Sequence, residues 1–128
     1  MIVVDTSAII AVLLQEPSGQ RVADSITQSD GCFISPVTLT ETTMVLSRTL
    51  RDPKLAVDTY LQSTRISICS IDAAQAELAR EAFLLFGKGR HPARLNLGDC
   101  FAYAAAKALD APLLYVGGDF AKTDIRSA

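Results

Sequence analysis

Four short runs of strand-forming residues recur along this chain: Ile2-Val3-Val4, Cys32-Phe33-Ile34, Ile66-Ser67-Ile68-Cys69 and Leu113-Leu114-Tyr115-Val116. Between them lie segments with helical punctuation. Asp5-Thr6-Ser7 offers caps to a helix over Ala8–Leu14, and a second helix spans Gln20–Gln28. Ser35-Pro36 starts a helix to about Leu50, and Asp52-Pro53 starts one to about Ser63. Asp72 caps a long helix to about Phe86, and Gly98-Asp99 opens an alanine-rich helix to about Leu109. Short strands alternating with helices predict an α/β domain, its mainly parallel sheet covered on both faces. The 128 residues suit a single domain over 1–128, with 49% apolar and 20% charged residues. The tail after Phe120 has no clear assignment.

Apolar runs such as Ala8–Leu14 are too short to span a bilayer, and the N-terminus has no basic region ahead of an apolar one. The expectation is a cytoplasmic protein without membrane contact. A net charge of −2 argues against nucleic-acid binding by bulk charge, so any such binding needs a local patch. Lys88, Arg90 and Arg94 supply one in the loop Gly87–Arg94, where glycines and a proline should keep the chain off the core. The bland alternative is a solvated loop. Cys32, Cys69 and Cys100 read as core residues of a reduced protein, and one histidine without a ligand pair argues against zinc.

Active sites of open parallel sheets form at the carboxyl ends of the strands. Asp5 ends the first strand and Asp119 follows the last by three residues, although either alone would serve as a cap. Glu41 has Val37, Met44 and Val45 as helix-face neighbours, which places its carboxylate on the stripe expected to face the core. A buried carboxylate needs a cation, a proton or a metal there, and the bland partner is Arg48, one helical turn farther along. Asp99 lies in a first helical turn, where the dipole favours an anion, beside Ala102, Tyr103 and Ala106, residues that suit close approach to the sheet. Four converging acids without histidine or cysteine point to Mg²⁺ or Mn²⁺ and to phosphodiester hydrolysis. A receiver-like phosphoacceptor module and a catalytically inactive binding module are the rival readings. The receiver lacks its acidic pair and its strand-end lysine.

The opening Val3-Val4-Asp5-Thr6-Ser7-Ala8, the run Gly87-Lys88-Gly89-Arg90-His91-Pro92-Ala93-Arg94-Leu95-Asn96-Leu97-Gly98-Asp99-Cys100-Phe101-Ala102-Tyr103-Ala104 and the ending Gly117-Gly118-Asp119-Phe120 with Thr123-Asp124-Ile125 resemble PIN-domain ribonucleases. In particular they resemble the VapC toxins of toxin–antitoxin pairs. The resemblance implies a PIN-like α/β/α sandwich, Mg²⁺-dependent RNA cleavage, a homodimer and inhibition by a VapB-type antitoxin. It implies that Asp5, Glu41 and Asp99 hold the metal. At the fourth acidic position Gly118 replaces a residue that is often polar, leaving Asp119 first and Asp124 second.

Overall fold

The computed structural model describes residues 1–128. Its elements are β1 (Ile2–Val4), α1 (Thr6–Leu13), α2 (Gly19–Gln28), β2 (Cys32–Ile34), α3 (Pro36–Leu46), α4 (Pro53–Thr64), β3 (Ser67–Ile68), α5 (Ala73–Phe86), α6 (Leu97–Ala108) and β4 (Leu113–Leu114), followed by a 3₁₀ turn at Phe120–Lys122. The strands form one parallel sheet in the order β3-β2-β1-β4. The expected α/β layering is present.

Strand periodicity divides the apolar residues between the two faces. Ile2, Val4, Cys32, Ile34 and Leu114 join Ile9, Val22, Leu46 and Val57 in one core. Val3 and Leu113 join Ala102, Ala105, Ala106, Leu95 and Phe120 in the other, with Phe33 packed against it. Ala102, Ala104, Ala105 and Ala106 of α6 are buried, and their small side chains bring this helix close to the sheet, as their pattern implied. Cys32 and Cys100 are buried, Cys69 is half-buried, and all three are free thiols.

Several boundaries differ from the sequence expectations. α3 stops at Leu46, because Leu50 folds back to donate its N–H to the Leu46 carbonyl in a terminal turn. β3 is reduced to two exposed residues on the sheet edge. β4 ends at Leu114, and Val116 donates its N–H to the Ser7 hydroxyl instead of a strand. The tail adds to the outer side of β4: Leu113 donates to the Arg126 carbonyl and Ala128 donates to that of Leu113. The basic loop is not wholly off the core, since Ala93 and Leu95 are fully buried. The His91 ring packs edge-on against Phe86, with centroids 5.2 Å apart.

The turn between α1 and α2 depends on Gly19. A Cβ there would lie 2.6 Å from the Ala11 carbonyl oxygen, a backbone atom that cannot rotate aside. Gly19→Ala is expected to lower unfolding free energy by about 1–3 kcal/mol through overpacking, despite the better helix propensity of alanine. Urea denaturation checks this, and an unchanged or raised midpoint would show that the corner yields freely.

Candidate active site

Asp5 leaves the end of β1 and caps α1. Its Oδ2 accepts from the Ser7 N–H at 2.9 Å and from the Ser7 hydroxyl at 2.6 Å. The same hydroxyl accepts from Val116 N–H at 3.0 Å, so one serine ties the ends of β1 and β4 together. Asp5 is only 3% exposed, and its Oδ1 is buried without a hydrogen-bond partner. Burial pushes its carboxyl above the ordinary range; the Ser7 hydrogen bonds oppose this and the charge of Glu41 adds to it.

Glu41 departs from the expected arrangement. The buried face of α3 is Thr38, Thr42 and Leu46, while Met44 is 65% exposed. Glu41 therefore sits at the edge of the core and opens onto a cleft. The core-facing stripe differs from the expected one because Thr38 and Thr42 take the fully buried positions, Val37 and Val45 are only half-buried, and Met44 is exposed. Arg48 is exposed and makes no ion pair with it. Instead the Thr6 hydroxyl donates to Glu41 Oε1 at 2.5 Å, and the Thr42 hydroxyl donates to Thr6 Oγ1 at 3.4 Å. The carboxylate also presses on the Cα of Gly98, where a Cβ would collide with it.

Asp99 belongs to a reciprocal cap. Asn96 Oδ1 accepts from the Asp99 N–H at 2.9 Å, and Asp99 Oδ2 accepts from the Asn96 N–H at 3.0 Å. Burial raises the Asp99 carboxyl to about 7. The Asn96 N–H opposes the rise, and the charges of Asp5, Glu41 and Asp119 reinforce it. The adjacent Cys100 thiol is pushed up to about 11 by burial and by Asp99, which leaves it protonated and a poor nucleophile near neutral pH.

Asp5, Glu41 and Asp99 line one cleft of about 430 Å³, together with Thr6, Ser7, Ile10, Glu16, Val45, Asn96 and Val116. No three of the acidic, histidine or cysteine side chains stand close enough to enclose an ion as they are. Like charges repel, and Asp99 Oδ2 is turned back to the Asn96 N–H. Glu16 was not legible as a site residue. Glu16-Pro17 reads as a helix break, and only the left-handed Gln15 (φ 54°) with the Glu16 N–H to Ala11 carbonyl bond delivers it to the cleft. Thr6 was legible as a cap, but its bond to α3 was not.

Asp119 is exposed, follows the left-handed Gly117 (φ 101°), and does not line the cleft, although Asp99 feels its charge. Asp124 is occupied elsewhere: it accepts from the Tyr103 hydroxyl at 2.6 Å and from Lys107 Nζ at 3.0 Å. Those donors hold its carboxyl below the ordinary range. Lys88, Arg90 and Arg94 are all exposed and none lines the cleft. Arg90 donates to the Leu84 carbonyl at 3.2 Å. A separate apolar groove between α5 and α6, lined by Ala79, Phe83, Leu84, Leu97, Cys100 and Phe101 among others, contains no carboxylate.

The PIN domain model matches residues 2–126. Ribonuclease VapC30 of Mycobacterium tuberculosis is 38% identical over 124 residues, 96% of this chain and 95% of its own. Ribonuclease VapC42 of the same organism is 39% identical over 129 residues, 98% of each chain. The crystal structure of M. tuberculosis VapC20, described as a sarcin–ricin loop cleaving toxin, has a TM-score of 0.80 over 100% of this chain and 98% of that one. FitAcB from Neisseria gonorrhoeae has a TM-score of 0.64 over 99% and 96%. Both are 19% identical to this chain and are likenesses of fold.

The raised Asp99 carboxyl has a signed consequence for metal-free protein. The folded state keeps this proton to about pH 7, whereas the unfolded chain releases it near the ordinary 3.8. Between those values the native state binds more protons, so this group's contribution to stability falls as pH rises and levels off above 7. In EDTA, Asp99→Asn is expected to gain stability relative to the unsubstituted protein across pH 4 to 7. A difference that does not change with pH in paired urea titrations would contradict this.

Proposed function

We propose that this chain, which belongs to the PIN-domain family and within it to the VapC ribonucleases, hydrolyses RNA phosphodiester bonds with the help of Mg²⁺ (or Mn²⁺) held in the acidic cleft. As a VapC ribonuclease it is the toxin of a toxin–antitoxin pair, and its partner is an antitoxin. The observation that carries the metal reading is the buried, unpartnered Oδ1 of Asp5, a residue that lines one cleft with Glu41 and Asp99. A buried carboxylate oxygen without a donor is costly, and a hard divalent cation removes that cost. The same charge would offset the burial, and with it the neighbouring negative charge, that raises Asp99. The donor set is all oxygen, which suits magnesium. The residues therefore fit the group.

Bound there, Mg²⁺ supplies an acidified water nucleophile and offsets the negative charge that develops at the phosphate. The chain's own residues do the rest. Asp5 would hold the ion while Ser7 fixes its Oδ2. Asp99 is the second ligand, its backbone pinned by the Asn96 cap. Glu41 holds the ion or orients its water. Asp119 approaches from the rim as the fourth acid, since Asp124 is committed to Tyr103 and Lys107. Lys88, Arg90 and Arg94 bind the RNA backbone outside the cleft. Such contacts position a strand without reading its sequence. We place the reaction in the cytoplasm; no helix here is long and apolar enough to cross a membrane. A homodimer belongs to the same reading, supported by exposed Phe83, Leu84, Leu85 and Leu97. The antitoxin, by the same logic, inhibits by setting an arginine among the carboxylates, where its planar fork pairs with two oxygens. A receiver-like role is not favoured, because the relatives are ribonucleases.

Asp5→Asn and Asp99→Asn should each lower kcat/KM on a single-stranded RNA by about 100-fold or more, ~2.7 kcal/mol, with far-UV circular dichroism unchanged. Unchanged rates, or full activity of the unsubstituted protein in excess EDTA, would exclude metal-dependent hydrolysis. Asp119→Asn should cost about tenfold in rate, ~1.4 kcal/mol, whereas Asp124→Asn should act on stability through the lost Tyr103 and Lys107 contacts. The reverse ranking moves the fourth acid to Asp124.

The loop is tested by changing Lys88, Arg90 and Arg94 together to alanine. The log–log salt slope of RNA binding should shrink by about 0.7 for each phosphate contact removed, with kcat retained. An unchanged slope and KM would remove the loop from the RNA path.

A further inference from the structure

Gly98 is buried in the first turn of α6, immediately before Asp99. Helix propensity argues against glycine at such a place, and its backbone needs no left-handed angle. Its neighbour accounts for it. A Cβ on Gly98 would fall on Oε1, Oε2 and Cδ of Glu41. From α1 the Thr6 hydroxyl donates to the same carboxylate, and Thr42 donates to Thr6 in turn. Glu41 is thus gripped between a hydroxyl on one helix and bare backbone on another. The grip holds it in the cleft shared with Asp5 and Asp99, whose carboxyls both register its charge.

We infer that Gly98 is a positioning residue for the reaction, acting through Glu41: its missing side chain is the space in which the Thr6 hydroxyl holds that carboxylate toward the cleft. The inference rests on the metal-dependent ribonuclease reading above. Any side chain at 98 must either rotate Glu41 off Thr6 or lift the start of α6 from α3. Either movement disturbs Glu41 relative to Asp99, because Gly98 and Asp99 are adjacent.

The test is calorimetric titration of the full chain with Mn²⁺ alone, accompanied by kcat and KM on single-stranded RNA. Gly98→Ala should weaken Mn²⁺ binding by about ten- to a hundredfold, the size of effect seen when groups that orient ligands are lost. It should lower kcat with KM little changed. Thr6→Val should behave in the same way and Thr6→Ser should recover binding, because serine keeps the hydroxyl. In a Glu41→Ala background there is room for the added methyl, so Gly98→Ala should have no further effect; this non-additivity is the signature of action through Glu41. A Gly98→Ala protein that folds only when combined with Glu41→Ala supports the same conclusion. Native Mn²⁺ affinity in Gly98→Ala, an equal loss with and without Glu41, or unfolding in both backgrounds would overturn the inference. If the unsubstituted protein bound no Mn²⁺, the metal reading itself would fall and take the inference with it. If it bound Mn²⁺ and only the Gly98 and Thr6 effects were missing, the metal reading would stand alone.

Discussion

Asp5 uses one carboxylate oxygen to cap α1 and leaves the other in the protein interior with no donor. The surrounding architecture keeps that arrangement in place. Burying a carboxylate is unfavourable, and the two Ser7 donors offset only part of the cost. Ser7 can serve because it also accepts from Val116, a bond that ends β4 and closes the sheet's carboxyl edge around the site. A change at Ser7 would therefore loosen the cap, the strand end and the carboxylate together.

The other two acids reach Asp5 by different routes. α6 packs closely on the sheet because its inward residues are alanines, and this lowers the Asp99 cap onto the same edge. α3 presents threonines inward, so Glu41 is displaced to the rim of the cleft and held by a hydroxyl instead of a guanidinium. Four carboxylates, those of Asp5, Glu16, Glu41 and Asp99, share one cleft without a basic side chain in its wall, and burial together with neighbouring charge lifts the Asp99 carboxyl to about 7. Such a site is suited to a cation, whether an ion or a partner's arginine.

Much of this was legible before the structure. A β-branched run ending in Asp5 and the alternation of strands with capped helices locate the first acid and the parallel sheet by local rules alone. Asp99 was legible from its first-turn position and the alanine face beside it. The role of Glu41 was legible only in part: its helix was clear, but apolar periodicity put the wrong stripe inward, because Thr38 and Thr42 are polar by type and buried by position. Glu16 and Gly98 were not legible as site residues. One needs the left-handed turn after α1, and the other needs the approach of two helices distant in sequence. The choice between Asp119 and Asp124 likewise turns on Tyr103 and Lys107, which no spacing rule connects to the tail.

Asp5, Glu41 and Asp99 are proposed to bind a divalent cation together. Anomalous scattering from crystals grown with Mn²⁺ tests this most directly. A strong anomalous peak is expected in the cleft beside Asp5 and Asp99, lost in crystals of Asp5→Asn. A peak elsewhere on the molecule, or none in the cleft at saturating Mn²⁺ with Asp5 Oδ1 still unpartnered, would contradict it.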